Sequence, residues 1–345
     1  MESIRADIVI IVALQDELEA VLAHLPNAVR VTLPQSDNRT YWVANVDAPT
    51  SRPYRIAVTL LTQMGNLEAA LAANDAIRLW HPNAIFVVGI AGGLRSDEQD
   101  FGDVVIASQV FYYEEQKLTK LGPETRPRLF EPTRMLLDRA LNYRDEPWTA
   151  LIQPAGAKFP HRKPRVFIAP IASGEKIFAS AKATDALRSL VPKVAAVEME
   201  TAGVAAAALS GVKRTDVLVV RGISDFANSK KSDDYRQFAA ATAAAWTIGF
   251  LHSGPIPTNG LAPMPLREPS PAPLPNREEL FDEMLSRLDD EDFKTLCFIL
   301  GVDVDELPGD KKSARVRELV KYFERRGKLG ELAELWRRTR EKYFS

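Results

Sequence analysis

The sequence predicts an α/β domain with a central, mostly parallel or mixed sheet flanked by helices, followed by a small all-α bundle. Three observations carry that prediction. Short β-branched runs alternate with helical stretches from Ile8 to Leu251. Prolines then crowd a single stretch. Beyond it, apolar residues recur at helical spacing.

Ile8–Val12, Arg55–Leu61, Ile85–Val88, Val104–Val110, Val166–Ile171 and Val217–Val220 read as buried strands. Gln15–His24, Asn66–Trp80, Thr133–Leu141, Lys176–Leu190, Thr201–Leu209 and Asp233–Leu251 read as helices. In α/β sheets of this kind, ligands bind beyond the carboxyl ends of the strands.

Eight of the 23 prolines lie in the 22 residues Gly254–Pro275, enough to rule out a helix or central strand there. The stretch reads as an extended spacer, with a long surface loop as the alternative. The expected organisation is a catalytic domain over 1–253, a Pro-rich linker over 254–276 and a helical domain over 277–345. In the last, Leu280, Phe281, Met284, Leu285 and Leu288 form one apolar stripe. Phe293, Leu296, Cys297 and Leu300 form a second, and Val316, Leu319, Val320 and Phe323 a third. Leu329, Leu332, Leu335 and Trp336 form a fourth. Asp310 is placed to cap the third helix, so four or five short helices are expected.

Lys plus Arg is 44 and Asp plus Glu is 46, a balance that argues against a strongly basic nucleic-acid binder. The single cysteine, Cys297, can form neither an internal disulfide nor a multi-cysteine zinc site. No apolar run reaches the roughly 18–20 residues of a spanning helix. The N-terminal residues carry no signal-peptide pattern. A cytoplasmic protein without membrane, metal or cofactor is expected. The helical domain conceals a charge split. Arg277–Asp310 holds 3 basic against 12 acidic residues, a net −9, and Lys311–Ser345 holds 12 against 5, a net +7. Such a module can meet a protein partner through complementary fields, although ordinary solvated faces would look the same.

Four segments at strand ends carry chemistry. Ala13-Leu14-Gln15-Asp16-Glu17 follows the first strand, and its acids also suit the start of a helix. Gly89-Ile90-Ala91-Gly92-Gly93 is either a backbone anion nest or a tight turn. In Val197-Glu198-Met199-Glu200, a buried carboxylate would need donors, which a sugar diol offers. The same acids could instead open a helix. Arg221-Gly222-Ile223-Ser224-Asp225 ends in a carboxyl positioned for general-acid work or for an N-cap.

Together, Gly-x-Ala-Gly-Gly, Val-Glu-Met-Glu and Arg-x-Ile-Ser-Asp resemble the purine nucleoside phosphorylase/uridine phosphorylase superfamily over roughly residues 7–252. They resemble in particular its methylthioadenosine/S-adenosylhomocysteine nucleosidase branch. Ile171–Phe178 is similar to that family's purine-pocket segment. The resemblance implies that Asp225 protonates N7 of the purine, with Ser224 positioning it. It implies that Glu200 binds the ribose diol over Met199, beside Glu198. Glu17 would activate water, and Arg221 would orient the water and the carboxylates. Ile177 and Phe178 would enclose the base, and Ile90, Ala91 and Gly92 would line the site.

Phosphorylases of the superfamily often carry an arginine two residues before the Gly-rich segment. This chain reads Phe86-Val87-Val88-Gly89, which favours water as nucleophile. Ile90 stands where nucleosidases of the branch have serine. A phosphorylase and a non-catalytic nucleoside sensor are therefore the alternatives to a hydrolase. The loop Lys158–Arg165 holds basic residues that would suit 5′-phosphates if it covered the mouth, or would simply be solvated. That keeps AMP or ATP beside methylthioadenosine and adenosine as substrates.

Thr295–Asp303, Glu306–Lys311 and Arg317–Gly327 resemble the effector-associated, death-fold-like adaptor domains of bacteria. That resemblance implies recruitment by a protein bearing a matching domain, with the enzyme as effector in a bacterial conflict or antiphage system. The superfamily resemblance also implies a homo-oligomer.

Overall fold

A computed structural model describes residues 5–32, 39–120, 122–143, 147–153, 159–176, 181–210, 214–227, 235–258, 277–333 and 335–336. The chain divides into two compact units, Met1–Met264 and Pro265–Ser345.

The first unit begins with β1 (Ile8–Val12), α1 (Gln15–Leu22), β2 (Val29–Thr32), β3 (Thr40–Val46), β4 (Tyr54–Leu60) and α2 (Asn66–Trp80). Then come β5 (Ala84–Gly93), β6 (Val104–Tyr112), β7 (Gln116–Thr119), β8 (Gly122–Thr125), β9 (Arg128–Phe130) and α3 (Arg134–Tyr143). A 3-10 turn at Trp148–Leu151 leads to β10 (Val166–Ser173), α4 (Ala181–Leu190) and β11 (Ala196–Glu198). The unit closes with α5 (Thr201–Ser210), β12 (Asp216–Asp225) and α6 (Arg236–His252).

The mixed sheet runs in the order β11-β10-β6-β12-β5-β1-β4-β3-β2, with β9 added to β6. β1 sits parallel between β4 and β5, and all five of its residues are buried. A strand covered on both faces needs no polar alternation, so IVIIV reads as a continuous apolar run. β11 pairs with both β10 and β5, so β5, β12, β6, β10 and β11 close into a ring. The four chemistry-bearing segments border that ring or the adjoining end of β1.

α6 is buried from Ala239 through Leu251. Its Trp246 and Phe250 rings stack at 4.8 Å, and Phe86 of β5 lies 6.3 Å from Phe250. Gly222 makes this contact possible, because a Cβ there would lie 2.0 Å from the Ala239 carbonyl oxygen. α2 and α5 approach equally closely, with a Cβ at Gly203 falling 1.9 Å from the Asn66 oxygen.

The six strands expected from sequence all form, and the sheet gains others. β3 alternates only partly and carries Thr, Asn and Trp, so its half-exposed pattern lacks a clear apolar run. β7 is exposed throughout, and β11 has three residues. The presumed Gly-rich turn is not a turn. β5 runs on to Gly93, and Gly92 and Gly93 pair with Val197 and Ala196. Residues 254–258, placed by composition in the spacer, pack on the first unit. Ile256 is buried, and its N–H donates to the Tyr54 hydroxyl at 2.9 Å. The rest of the Pro-rich stretch, 259–276, lies outside the described residues.

The second unit contains α7 (Arg277–Arg287), α8 (Asp290–Ile299) and α9 (Lys312–Arg325). A 3-10 turn occupies Val304–Glu306, and helical backbone resumes at 329–333. Leu280, Met284, Phe293, Leu296, Cys297, Leu319 and Trp336 share one core. Asp289 caps α8 by accepting from the Glu291 and Asp292 N–H groups. Asp310 does not cap α9: the cap position is Lys311, which makes no side-chain cap bond. Burial pushes the Cys297 thiol up to about 11, so it acts as a small apolar filler.

Among the described residues, no helix is long and apolar enough to cross a membrane, and no cluster of His, Cys, Asp or Glu is arranged to hold a metal ion.

Candidate active site

A cavity of about 350 Å³ opens over the ends of β1, β5, β11 and β12. Its lining includes Glu17, Ile90, Ala91, Gly92, Glu198, Met199, Glu200, Ser224 and Asp225. Nine of the residues singled out in the sequence therefore share one cavity. Arg221 lies directly beneath, 1% exposed. Ile177 and Phe178 lie outside the described residues.

Glu17 is the third residue of α1 and turns back over the helix start. Its Oε2 accepts from the N–H groups of Ala13 at 2.8 Å and Leu14 at 2.9 Å. Its Oε1 accepts from the Ile90 N–H at 2.8 Å. The acid thus caps its own helix and also lines the cavity. Ile90 acts through its backbone, and its apolar side chain is no obstacle to that bond. Burial raises the Glu17 pKa above its ordinary value, opposed by Arg221 and the three N–H donors. A carboxylate with a raised proton affinity is better matched to taking a proton from water.

Gly89 explains how Glu17 and Arg221 can meet. A Cβ at position 89 would lie 2.2 Å from Glu17 Oε1 and 2.6 Å from Arg221 Nη1. The glycines of β5 make room for charged side chains instead of forming an anion nest. Gly92 does the same for the end of β12, where a Cβ would sit 3.2 Å from Asp225 Oδ1.

Arg221 joins three carboxylates. Nη2 donates to Glu198 Oε2, and lies 3.3 Å from both Glu200 Oε2 and Thr201 Oγ1. Nη1 lies 3.9 Å from Glu17 Oε1. One guanidinium facing three acids leaves an excess of negative charge, which favours a developing cation above it. Burial pushes Glu200 up to about 7, opposed by Arg221 and reinforced by Glu198 and Glu17.

Glu198 and Glu200 have different tasks. Glu198 Oε2 also accepts from the N–H groups of Glu200 at 3.0 Å and Thr201 at 2.9 Å, and from the Thr201 hydroxyl at 2.7 Å. It pins Arg221 to the start of α5. Those internal donors occupy much of Glu198 Oε2, while Glu198 also lines the cavity. Glu200 Oε1 has a weaker claim on it, the Gly65 N–H at 3.4 Å.

β12 meets β5 in register through Ile223↔Ala91, then slips before Asp225↔Gly92. Ser224 occupies that bulge, which turns the strand end toward the cavity. Asp225 Oδ1 accepts from the Ala227 N–H at 2.7 Å. Ser224 Oγ lies 3.1 Å from Asp225 Oδ2 and 3.4 Å from the Ala91 carbonyl oxygen. Its single proton serves one of the two at a time.

The basic loop does not join the site. Arg162 forms a two-pronged pair with buried Asp103, His161 Nδ1 lies 2.6 Å from Asp100, and Arg165 bonds the Glu98 carbonyl. None of residues 159–165 lines the cavity, and Lys158 is outside the described residues. The loop fastens the strands, with Arg162 committed to Asp103 and Arg165 to the Glu98 carbonyl. Among the described residues, the cations that line the cavity are Lys176 and Arg236. Arg236 and Met64 were not anticipated. A cation in the first turn of a helix works against the helix dipole, and that was the available signal for Arg236.

A ring-closed mixed sheet with clustered carboxylates and a buried arginine at its strand ends defines a nucleoside-type α/β fold. The chain belongs to the Phosphorylase superfamily, whose model matches residues 7–249. Residues 280–340 match the model of Effector-associated domain 7. ATP nucleosidase Cap17 of Escherichia coli is 29% identical over 235 residues, covering 62% of this chain and 44% of that protein. This chain thus spans less than half the length of that relative. The 5′-methylthioadenosine/S-adenosylhomocysteine nucleosidase of Haemophilus ducreyi is 28% identical over 202 residues, covering 56% of this chain and 79% of that one. The crystal structure of the corresponding Neisseria meningitidis nucleosidase matches with a TM-score of 0.55 at 23% identity, covering 71% of this chain and 98% of that one. At that identity the likeness establishes the fold.

Proposed function

We propose that this chain is an N-ribosyl hydrolase of a purine nucleoside or nucleotide, releasing adenine or a related base. The observation that carries the reading is the common cavity shared by Glu17, Glu200 and Asp225 over Arg221. Relatives named ATP nucleosidase and methylthioadenosine/S-adenosylhomocysteine nucleosidase support it.

Asp225 gives a proton to N7 of the purine. The C1′–N9 bond breaks with its electron pair leaving on the base, which departs neutral. The ribose carries the resulting oxocarbenium charge, and the acids around Arg221 stabilise it. Glu200 accepts from the 2′- and 3′-hydroxyls over Met199. Water attacks C1′ as Glu17 takes its proton. Ser224 orients Asp225, and Ala91, Gly92 and Ile90 supply backbone walls. No cofactor enters this scheme. Water is favoured over phosphate because Phe86, Val87 and Val88 of β5 are buried and apolar.

Domain company sets the context. The helical domain recruits the enzyme to a protein with a matching effector-associated domain, as an effector in bacterial antiphage defence. The linker joins this adaptor to the catalytic domain, and the protein works in the cytoplasm. The catalytic domain self-associates. Met64 lines the cavity at 53% exposure, and Leu67 and Leu71 of α2 are 78% and 51% exposed. A second copy would cover this edge of the cavity. Light scattering returning a strict monomer contradicts that part.

The test of the reaction is incubation with methylthioadenosine, adenosine, AMP and ATP, with and without phosphate. Free base released without phosphate is the expected result. Base release only with phosphate assigns a phosphorylase instead, and binding without release assigns a sensor.

A further inference from the structure

The cavity floor is hostile to phosphate. Glu17, Glu198, Glu200 and Asp225 all line it. A 5′-phosphorylated substrate must therefore point its anionic end away from the acids, toward the mouth. Among the described residues, the lining cations are Arg236 and Lys176, and they differ in situation.

Lys176 is 62% exposed and is paired with Glu114. Arg236 is in the first turn of α6, across the cavity mouth, next to α1. Its Nη2 lies 3.7 Å from Asp16 Oδ2, with the two side chains 33% and 32% exposed. An ion pair this long and this solvated is weak and easily exchanged. The N-cap residue Tyr235 supplies no side-chain cap to α6. Helix N-termini favour anions, so both the guanidinium and the helix end attract the same ligand charge.

We infer that Arg236 is the specificity residue for a 5′-phosphorylated substrate, with Asp16 as a counter-ion that the phosphate displaces. The inference rests on the hydrolase reading of the same cavity. A guanidinium pairs with two phosphate oxygens in a planar fork, a geometry an ammonium cannot reproduce. Asp16 pairs with Arg236 and competes with the incoming phosphate.

The experiment measures base release from ATP and from adenosine by the wild type, Arg236→Ala, Arg236→Lys and Asp16→Asn. The readout is the ratio of kcat/KM for ATP to that for adenosine, in which a general folding defect cancels. Arg236→Ala should lower the ratio by about tenfold or more. Arg236→Lys should fall between alanine and wild type. Asp16→Asn removes the competitor and should raise the ratio. An active wild type whose ratio stays within about twofold in every variant overturns this inference alone. A wild type that releases base from neither substrate overturns the hydrolase reading as well.

Discussion

Arg221 donates to Glu198 while both side chains are at most 2% exposed, and Glu198 in turn accepts from the first backbone N–H groups of α5. A single buried pair therefore ties β12 to the start of α5 and fixes the cation around which Glu17 and Glu200 gather.

Removing the cation should be costly. Arg221→Met leaves three buried carboxylates with no shared counter-charge, and breaking such a pair typically destabilises by about 3–5 kcal/mol. Thermal or urea denaturation measures it. If Arg221 acts by positioning the acids, Arg221→Lys should restore stability better than it restores activity, because one ammonium cannot reach both Glu198 and Glu17.

The pH dependence should carry the mark of Glu200. Its carboxyl titrates near about 7 and must be ionised to accept from the sugar diol. KM for adenosine is expected to fall as pH rises through that value, and Glu200→Gln should flatten the profile. Stability moves the other way. A carboxyl with a raised folded pKa stabilises most below its unfolded value of 4.5, and this contribution is lost as pH rises toward about 7. Denaturation midpoints of wild type and Glu200→Gln should converge at acid pH.

Gly89→Ala tests the close approach of Glu17 and Arg221. The added carbon would sit 2.2 Å from Glu17 Oε1, so the base must move. Loss of a general base typically costs about 10²–10⁴-fold in rate. The variant should lose as much kcat as Glu17→Gln, and the double variant should lose little more.

The helical unit has its own test. Leu296 and Leu319 are fully buried in its core. Leu296→Ala should cost about 2–5 kcal/mol in that unit. Capture of an effector-associated partner should then fail while base release by the same protein persists.

Much of this was legible in the sequence because the informative residues are forced by local constraints. β1 and the Val217–Val220 part of β12 announce themselves as unbroken, buried apolar runs. Asp225 and Glu17 stand where such runs end. What could not be read is how distant segments share charges. Nothing local says that Arg162 belongs to Asp103, 59 residues away, so the sequence leaves the basic loop open between a phosphate site and a solvated face. Nothing local separates Glu198 from Glu200, because only the start of α5 and Arg221 decide which acid is already occupied. The glycines of β5 misled for the same reason: their purpose is the bulk of Glu17, Arg221 and Asp225 arriving from other strands and helices.

The most direct measurement is base release by wild type and Asp225→Asn, followed across a phosphate titration that starts from phosphate-free buffer. The account predicts a wild-type rate independent of phosphate and a loss of at least about 100-fold in Asp225→Asn. A rate that vanishes without phosphate, or an Asp225→Asn variant that cleaves as the wild type does, contradicts it.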